Sequence, residues 1–283
     1  MRKRLGIIAG GGQLPVILAQ TASADQDVFV VRLAGFADMS LDAFAGMDKN
    51  IGEIGGVIEA LRMAGCETIV FAGAVRRPDF ANLQLDEAGQ KYLPALAGAA
   101  QRGDDGLLTA LVEIFTGEGF DVAGVQATCK ELLCPVGLIA GDEPYDDVAR
   151  DLGKAMRMAR LIGAEDVGQG AVVADGLVLA LEAQEGTDGM LARLNDLPIA
   201  VRGTVERRRG VLVKCAKPGQ ERRIDLPVLG VETVLGAARA GLLGIGLEAE
   251  SCLIVERREV EAAAREAGIF VVGLEYDASA EPH

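Results

Sequence analysis

The chain has 283 residues, half of them hydrophobic and a quarter charged. That is apolar material for about two ordinary domains and too much for a disordered chain. Its 42 acidic residues against 28 basic ones give a formal charge of −14, which argues against generic nucleic-acid binding, since that requires a basic excess. The single histidine, His283, is the last residue of a polar tail, so Ser–His–Asp and Cys–His catalysis, HExxH zinc sites and histidine bases lack their central component. Of five cysteines only Cys129 and Cys134 are close, and they read as small buried thiols in a reducing cytosol. No apolar run approaches the ~18 residues that span a bilayer. The basic-then-apolar start is too short for a secretory h-region of roughly 7–15 residues. The expectation is a cytoplasmic, soluble protein whose acid, base and metal chemistry comes from Asp, Glu, Lys or Arg.

In chain order, strand-like apolar runs at 5–9, 28–33, 68–72, 120–125 and 136–140 alternate with helical patterns at 14–23, 53–64 and 107–116. This βαβα alternation predicts a parallel sheet covered by helices, with its site at the carboxyl ends of the strands. The stretch 134–145 holds two prolines, two glycines and clustered acids, and reads as a linker between residues 1–133 and 146–283. The second half predicts a helix over 146–162, then strands 171–174 and 177–183 joined by Asp175-Gly176, a strong hairpin signal. A strand at 211–215 follows, then helix 231–240, strands 244–247 and 252–255, helix 257–267 and strand 269–274. The fold class is thus α/β: a Rossmann-like parallel-sheet N-terminal domain plus a smaller mixed α/β C-terminal domain.

Gly10-Gly11-Gly12 follow the first strand and precede a helix with Pro15 in its first turn. Glycines there permit close backbone approach, and amides at a helix start attract an anion; a merely tight turn is the plainer alternative. The G-x-G-x-x-G fingerprint is incomplete, with Pro15 in place of the third glycine. Arg32 at the end of the second strand stands where a NADP enzyme would use an arginine. The third strand runs into Gly73-Ala74-Val75-Arg76-Arg77-Pro78, which the parallel topology places beside the glycine loop, with arginines suited to phosphate. Asp104 and Asp105 open the helix at 107 and fit ordinary helix-start acids.

Between Arg202 and Arg223 stand Arg202, Arg207, Arg208, Arg209, Lys214, Lys217, Arg222 and Arg223, opposed only by Glu206 and Glu221. Such a basic stretch in an acidic chain predicts an anion-facing surface, or else a solvated strand edge. Asp225 sits between apolar neighbours ahead of Pro227, extended and partly buried. Glu182 and Asp188 bracket a strand end and a helix start, where Thr187 or Asp188 serves as cap. Hard oxygen ligands from Glu182, Asp188 and Asp225 would suit magnesium, which needs no histidine.

Taken in order, G-I-I-A-G-G-G-Q-L-P (6–15), G-D-D-G-L-L (103–108), L-A-L-E-A-Q-E-G-T-D (179–188), L-V-K-C-A-K-P (212–218) and D-L-P (225–227) resemble the UDP-2,3-diacylglucosamine pyrophosphatases of the LpxI type, over essentially the whole chain. The resemblance implies a magnesium-dependent hydrolase of lipid A biosynthesis that splits UDP-2,3-diacylglucosamine into UMP and 2,3-diacylglucosamine 1-phosphate. It further implies water attack at the β-phosphorus, a homodimer, and transient contact with the cytoplasmic face of the inner membrane. Asp225, in the D-L-P string, is implied to be the residue most needed for turnover. Residues and resemblance together make Asp225, Lys214 and Asp188 the expected catalytic groups. The expected substrate contacts are Gly11, Gly12, Gln13, Gly73, Ala74, Val75, Arg76, Asp104, Thr187, Lys217 and Gln220. Asp225, Asp188 and Glu182 are the expected Mg2+ ligands, and the second domain is expected to carry catalysis and lipid binding. An NADP-dependent oxidoreductase using Arg32 and a non-catalytic nucleotide-sugar or lipid carrier are the alternatives.

Overall fold

The computed structural model describes residues 4–76, 79–80 and 82–276. The chain divides into two compact units: Met1–Lys130 together with Glu221–Asp225, and Glu131–Gln220 together with Leu226–His283.

In the first unit, β1 (Arg4–Ala9) leads to α1 (Leu14–Asp25), then β2 (Asp27–Leu33) and β3 (Gly46–Lys49). They are followed by α2 (Ile54–Met63), β4 (Cys66–Ala72), α3 (Glu87–Ala100), α4 (Asp104–Gly117), β5 (Asp121–Ala123) and the single turn α5 (Val125–Thr128). The sheet has the order β3-β2-β1-β4-β5 with every pairing parallel. Parallel strands covered on both faces read as continuous apolar runs, which is why the sequence announces β1, β2 and β4. It does not announce β3, a Gly-Met-Asp-Lys strand at the sheet edge, or α3, which carries Pro94 in its interior. What ties α3 down is Asp86: one oxygen accepts from the Gly89 amide at 2.7 Å and the other from the Gly56 amide at 2.8 Å. A single carboxylate thereby satisfies orphan donors at the starts of two helices.

The second unit contains β6 (Gly137–Ala140), α6 (Asp146–Ala164), β7 (Gly170–Ala174), β8 (Leu177–Leu181) and α7 (Gly186–Arg193). Then come β9 (Val211–Lys214), β10 (Val228–Leu229), α8 (Val231–Arg239) and β11 (Gly244–Glu248). The unit ends with β12 (Leu253–Ile254), α9 (Arg257–Ala267) and β13 (Phe270–Leu274). Its main sheet runs β6-β13-β11-β9-β7-β8 and is mixed: β9, β11 and β13 are parallel, while β6 and β7 run against their neighbours. The 136–140 run, expected as a last strand of the first alternation, pairs instead with β13 in this second sheet. The second unit is also the longer of the two by residue count, where a smaller one was expected. The β7–β8 hairpin turns at Asp175 and Gly176 with φ of 48° and 77°, the pair of left-handed residues that a two-residue I′ turn requires. One face of the sheet packs on α6 through Leu152, Ala155, Met156 and Ala159. The other carries the core built by residues of α7, α8 and α9, including Met190, Leu191, Val234, Ala237 and Val260.

Candidate active site

In a parallel sheet the crevice opens where successive connections depart in opposite directions. In the first unit that point lies between β1 and β4, since α1 leads outward to β2 and the later helices lead the other way to β5. The two expected loops meet there. Gly11 and Ala74 exchange backbone hydrogen bonds, with Gly11 N–H to the Ala74 oxygen at 2.8 Å and Ala74 N–H to the Gly11 oxygen at 2.9 Å; the Gly10 amide donates to Ala72 at 2.8 Å. A Cβ at Gly10 would stand 2.8 Å from the Ala74 oxygen, and one at Gly73 (φ 92°) would stand 2.6 Å from the Gly11 oxygen. These two glycines are therefore demanded by loop-to-loop approach, whatever ligand is bound.

The same bonds change which amides an anion can use. Those of Gly10 and Gly11 are spent within the protein, and the exposed Gly12 and Gln13 at the start of α1 remain. Among the described residues their N–H groups have no acceptor, and Gln13 makes no side-chain cap. An uncapped helix start at a switch point is suited to a phosphate. Val75 and Arg76 are exposed beside it; Arg77 and Pro78, and likewise His283, lie outside the described residues. Asp104 is half-buried in the first turn of α4. Arg32 is committed elsewhere, with Nε 2.6 Å from Asp48 and 3.2 Å from Asp42.

Asp225 lies in the short segment assigned to this first unit, half-buried, its N–H on the Glu221 carbonyl at 3.1 Å. The neighbouring Glu221 carboxylate is held below its ordinary pKa, chiefly by its hydrogen bond from Arg223.

The remaining expected residues occupy the second unit. At the carboxyl end of β8, Glu182 is 5% exposed; its Oε1 accepts from the Thr187 hydroxyl at 2.9 Å, and its Oε2 is enclosed without a hydrogen-bond partner. Asp188, one residue along α7, is exposed. Lys214, expected to face a phosphoryl group, is only 4% exposed and donates Nζ to the Val228 carbonyl at 2.9 Å. Lys217 pairs with Asp166 at 2.6 Å, and its N–H donates to the Gln220 side-chain oxygen at 2.9 Å. Gln220 is buried. The sequence did not mark Glu248, which is also buried: it takes Arg160 at 3.1 and 3.2 Å and the Ala216 amide at 3.0 Å. An arginine at the fifteenth residue of a long helix carries no local signal for that pairing.

Three arginines of the basic stretch are turned onto the protein's own carbonyls. Arg208 donates to the Ala238, Leu242 and Ala267 carbonyls at 2.9, 3.3 and 2.7 Å, closing the ends of α8 and α9. Arg202 reaches the Leu197 carbonyl at 2.9 Å, and Arg209 the Ala200 carbonyl at 2.9 Å together with Asp175. A guanidinium at a helix C-terminus satisfies orphan carbonyls and opposes the negative end of the dipole, so these charges are structural; Arg207 and Arg222 stay exposed. Arg208→Met should accordingly lower stability by about 3 kcal/mol, since several acceptors lose their donor at once, and thermal melting should shift down by roughly 6–12 °C. A melting curve unchanged from wild type would rule out this role.

Among the described residues no group of three or more Asp, Glu, His or Cys is arranged to hold a metal ion. Asp225 belongs to one unit, Glu182 and Asp188 to the other, so neither unit builds a cage of its own. Magnesium bound through one or two carboxylates plus substrate phosphates needs no such cage, and that is the mode these donors fit. No helix among the described residues is long and apolar enough to cross a membrane.

Fold and site define a two-unit α/β protein whose first unit is Rossmann-like, with an uncapped helix start at its switch point. Residues 4–132 match the LpxI N-terminal domain and residues 135–272 the LpxI C-terminal domain. The chain is 51% identical over 274 residues to the UDP-2,3-diacylglucosamine pyrophosphatase LpxI of Caulobacter vibrioides, covering 96% of this chain and 98% of that protein. The chain belongs to the LpxI family.

Proposed function

We propose that this chain hydrolyses the diphosphate of UDP-2,3-diacylglucosamine, releasing UMP and 2,3-diacylglucosamine 1-phosphate for lipid A synthesis. The observation that carries this reading is identity of 51% across 96% of the chain to a relative named for that substrate. The uncapped start of α1 supports it, offering the Gly12 and Gln13 amides to a phosphate. Asp225 supports it too, a half-buried carboxylate within the same unit as those amides. In this reading the amides hold the nucleotide-side phosphate, and Asp225 orients the reacting diphosphate and its water for attack at the β-phosphorus. Asp225, with the substrate's own oxygens, would hold magnesium, which would supply charge neutralisation and a more acidic water; Asp188 is the second candidate ligand. Catalysis by a homodimer in brief contact with the inner membrane surface completes the proposal.

The test is incubation of the purified chain with UDP-2,3-diacylglucosamine and Mg2+ in 18O-water. UMP should appear, with the heavy oxygen in the glycolipid phosphate. Label in UMP would overturn attack at the β-phosphorus, and tight binding without product over hours would make the chain a carrier. Omitting the metal with a chelator should abolish release, and full activity under chelation would remove magnesium from the proposal.

A further inference from the structure

The chain leaves the first unit after Lys130 and returns to it for Glu221–Asp225 alone, before resuming the second unit at Leu226. The returning segment is locked on itself. The Ile224 and Asp225 amides both donate to the Glu221 carbonyl at 3.0 and 3.1 Å, and the Arg223 guanidinium forks onto the two Glu221 oxygens at 2.8 and 2.6 Å. Such a turn fixes its own shape but needs an external seat to fix its place.

Two contacts supply one. Gln126, in α5 just past the end of β5, donates Nε2 to the Arg222 carbonyl at 3.1 Å. Ile224 packs against the first unit's core cluster, which includes Phe115, Phe120 and Val122. The Gln126 amide has one useful orientation, because turning it over would set its oxygen against the Arg222 oxygen. Its own Oε1 is enclosed without a partner, an arrangement that costs free energy and persists only if the other end of the amide matters. On the far side, the Pro227 carbonyl accepts from the Leu253 amide at 2.8 Å and the Val228 carbonyl from Lys214. Leu226 alone separates Asp225 from that anchor, and a residue before proline is confined to extended backbone. Asp225 thus sits between a seat one residue upstream and an anchor two residues downstream.

We infer that Ile224 and Gln126 are positioning residues for Asp225, seating its carboxylate on the unit that carries the Gly12–Gln13 amides. This rests on the reading of Asp225 as the group required for turnover. Steady-state kinetics of UMP release by the purified full chain test it. Ile224→Ala and Gln126→Glu should each lower kcat at least tenfold with KM within about twofold, since a displaced carboxylate slows the chemical step without removing substrate contacts. Ile224→Val, which keeps the packing, should recover kcat to within threefold of wild type. If Ile224→Ala does not fold, Gln126→Glu and Ile224→Val carry the comparison. The inference is overturned if the substituted chains keep wild-type kcat, or if their losses fall in KM alone. Failure of the functional reading looks different: the wild-type chain itself would release no UMP.

Discussion

Asp225→Ala is expected to reduce kcat for UMP release by at least about 100-fold while KM moves by less than about threefold, the pattern of a group that acts mainly on the transition state. The expectation rests on where the residue is held. Its amide closes the Glu221 turn, its side chain is half-buried, and the segment belongs with the unit whose α1 start is uncapped. Asp225→Asn keeps the shape and removes the charge, so it should lose nearly as much as the alanine variant. If asparagine instead retained most of the activity, Asp225 would serve as a hydrogen-bonding group and not as a metal ligand. Asp188→Ala provides the contrast, for that side chain is exposed on the first turn of α7. Equal losses from Asp188→Ala and Asp225→Ala would mean that both carboxylates act on the diphosphate.

What the sequence showed and what it hid follow from how local each signal is. The apolar runs of β1, β2 and β4 and the Asp175-Gly176 turn are readable because burial on both faces and left-handed backbone each leave a mark within a few residues. The glycine loop was readable as a place of close approach, but not what approaches: two of its three amides meet the exit of β4, about sixty residues away in sequence. The partners of the arginine stretch were hidden because a run of like charges reports composition, whereas those partners include the carbonyl ends of α8 and α9. The burial of Lys214 was hidden too, since strand alternation gives the face on which a side chain projects but not what covers it. Ile224, a lone apolar residue between Arg223 and Asp225, was the one visible hint that this charged segment docks on something. Its seat on a core made about a hundred or more residues earlier could be found only in three dimensions.

Above pH 9 the chain should lose stability far more steeply than its surface charges alone would produce, because of its buried thiols. All five cysteines are buried. Burial pushes the Cys66 thiol from 9.0 up to about 11, and the Cys134 and Cys215 thiols up to about 12. Cys252 is raised further by the same cause. A raised folded-state pKa means that the folded chain keeps these protons while the unfolded chain releases them. Their contribution is therefore fully present below the unfolded value of 9 and is lost as pH climbs toward 11 and 12. In that window each thiol removes up to about 1.4 kcal/mol per pH unit, and four together up to about 5.6 kcal/mol per unit. Against a total of roughly 5–15 kcal/mol for an ordinary protein, a loss of this size over two pH units is comparable with the whole stability. Urea unfolding at pH 8, 9, 10 and 10.5 measures the slope, and Cys215→Ala should flatten it by about one proton, or 1.4 kcal/mol per unit. An unchanged slope in that variant would show that Cys215 ionises equally in both states. The native thiols should also resist a thiol-specific reagent at pH 8 until urea opens the fold, since burial suppresses the reactive thiolate; rapid labelling of the folded chain would contradict the same account.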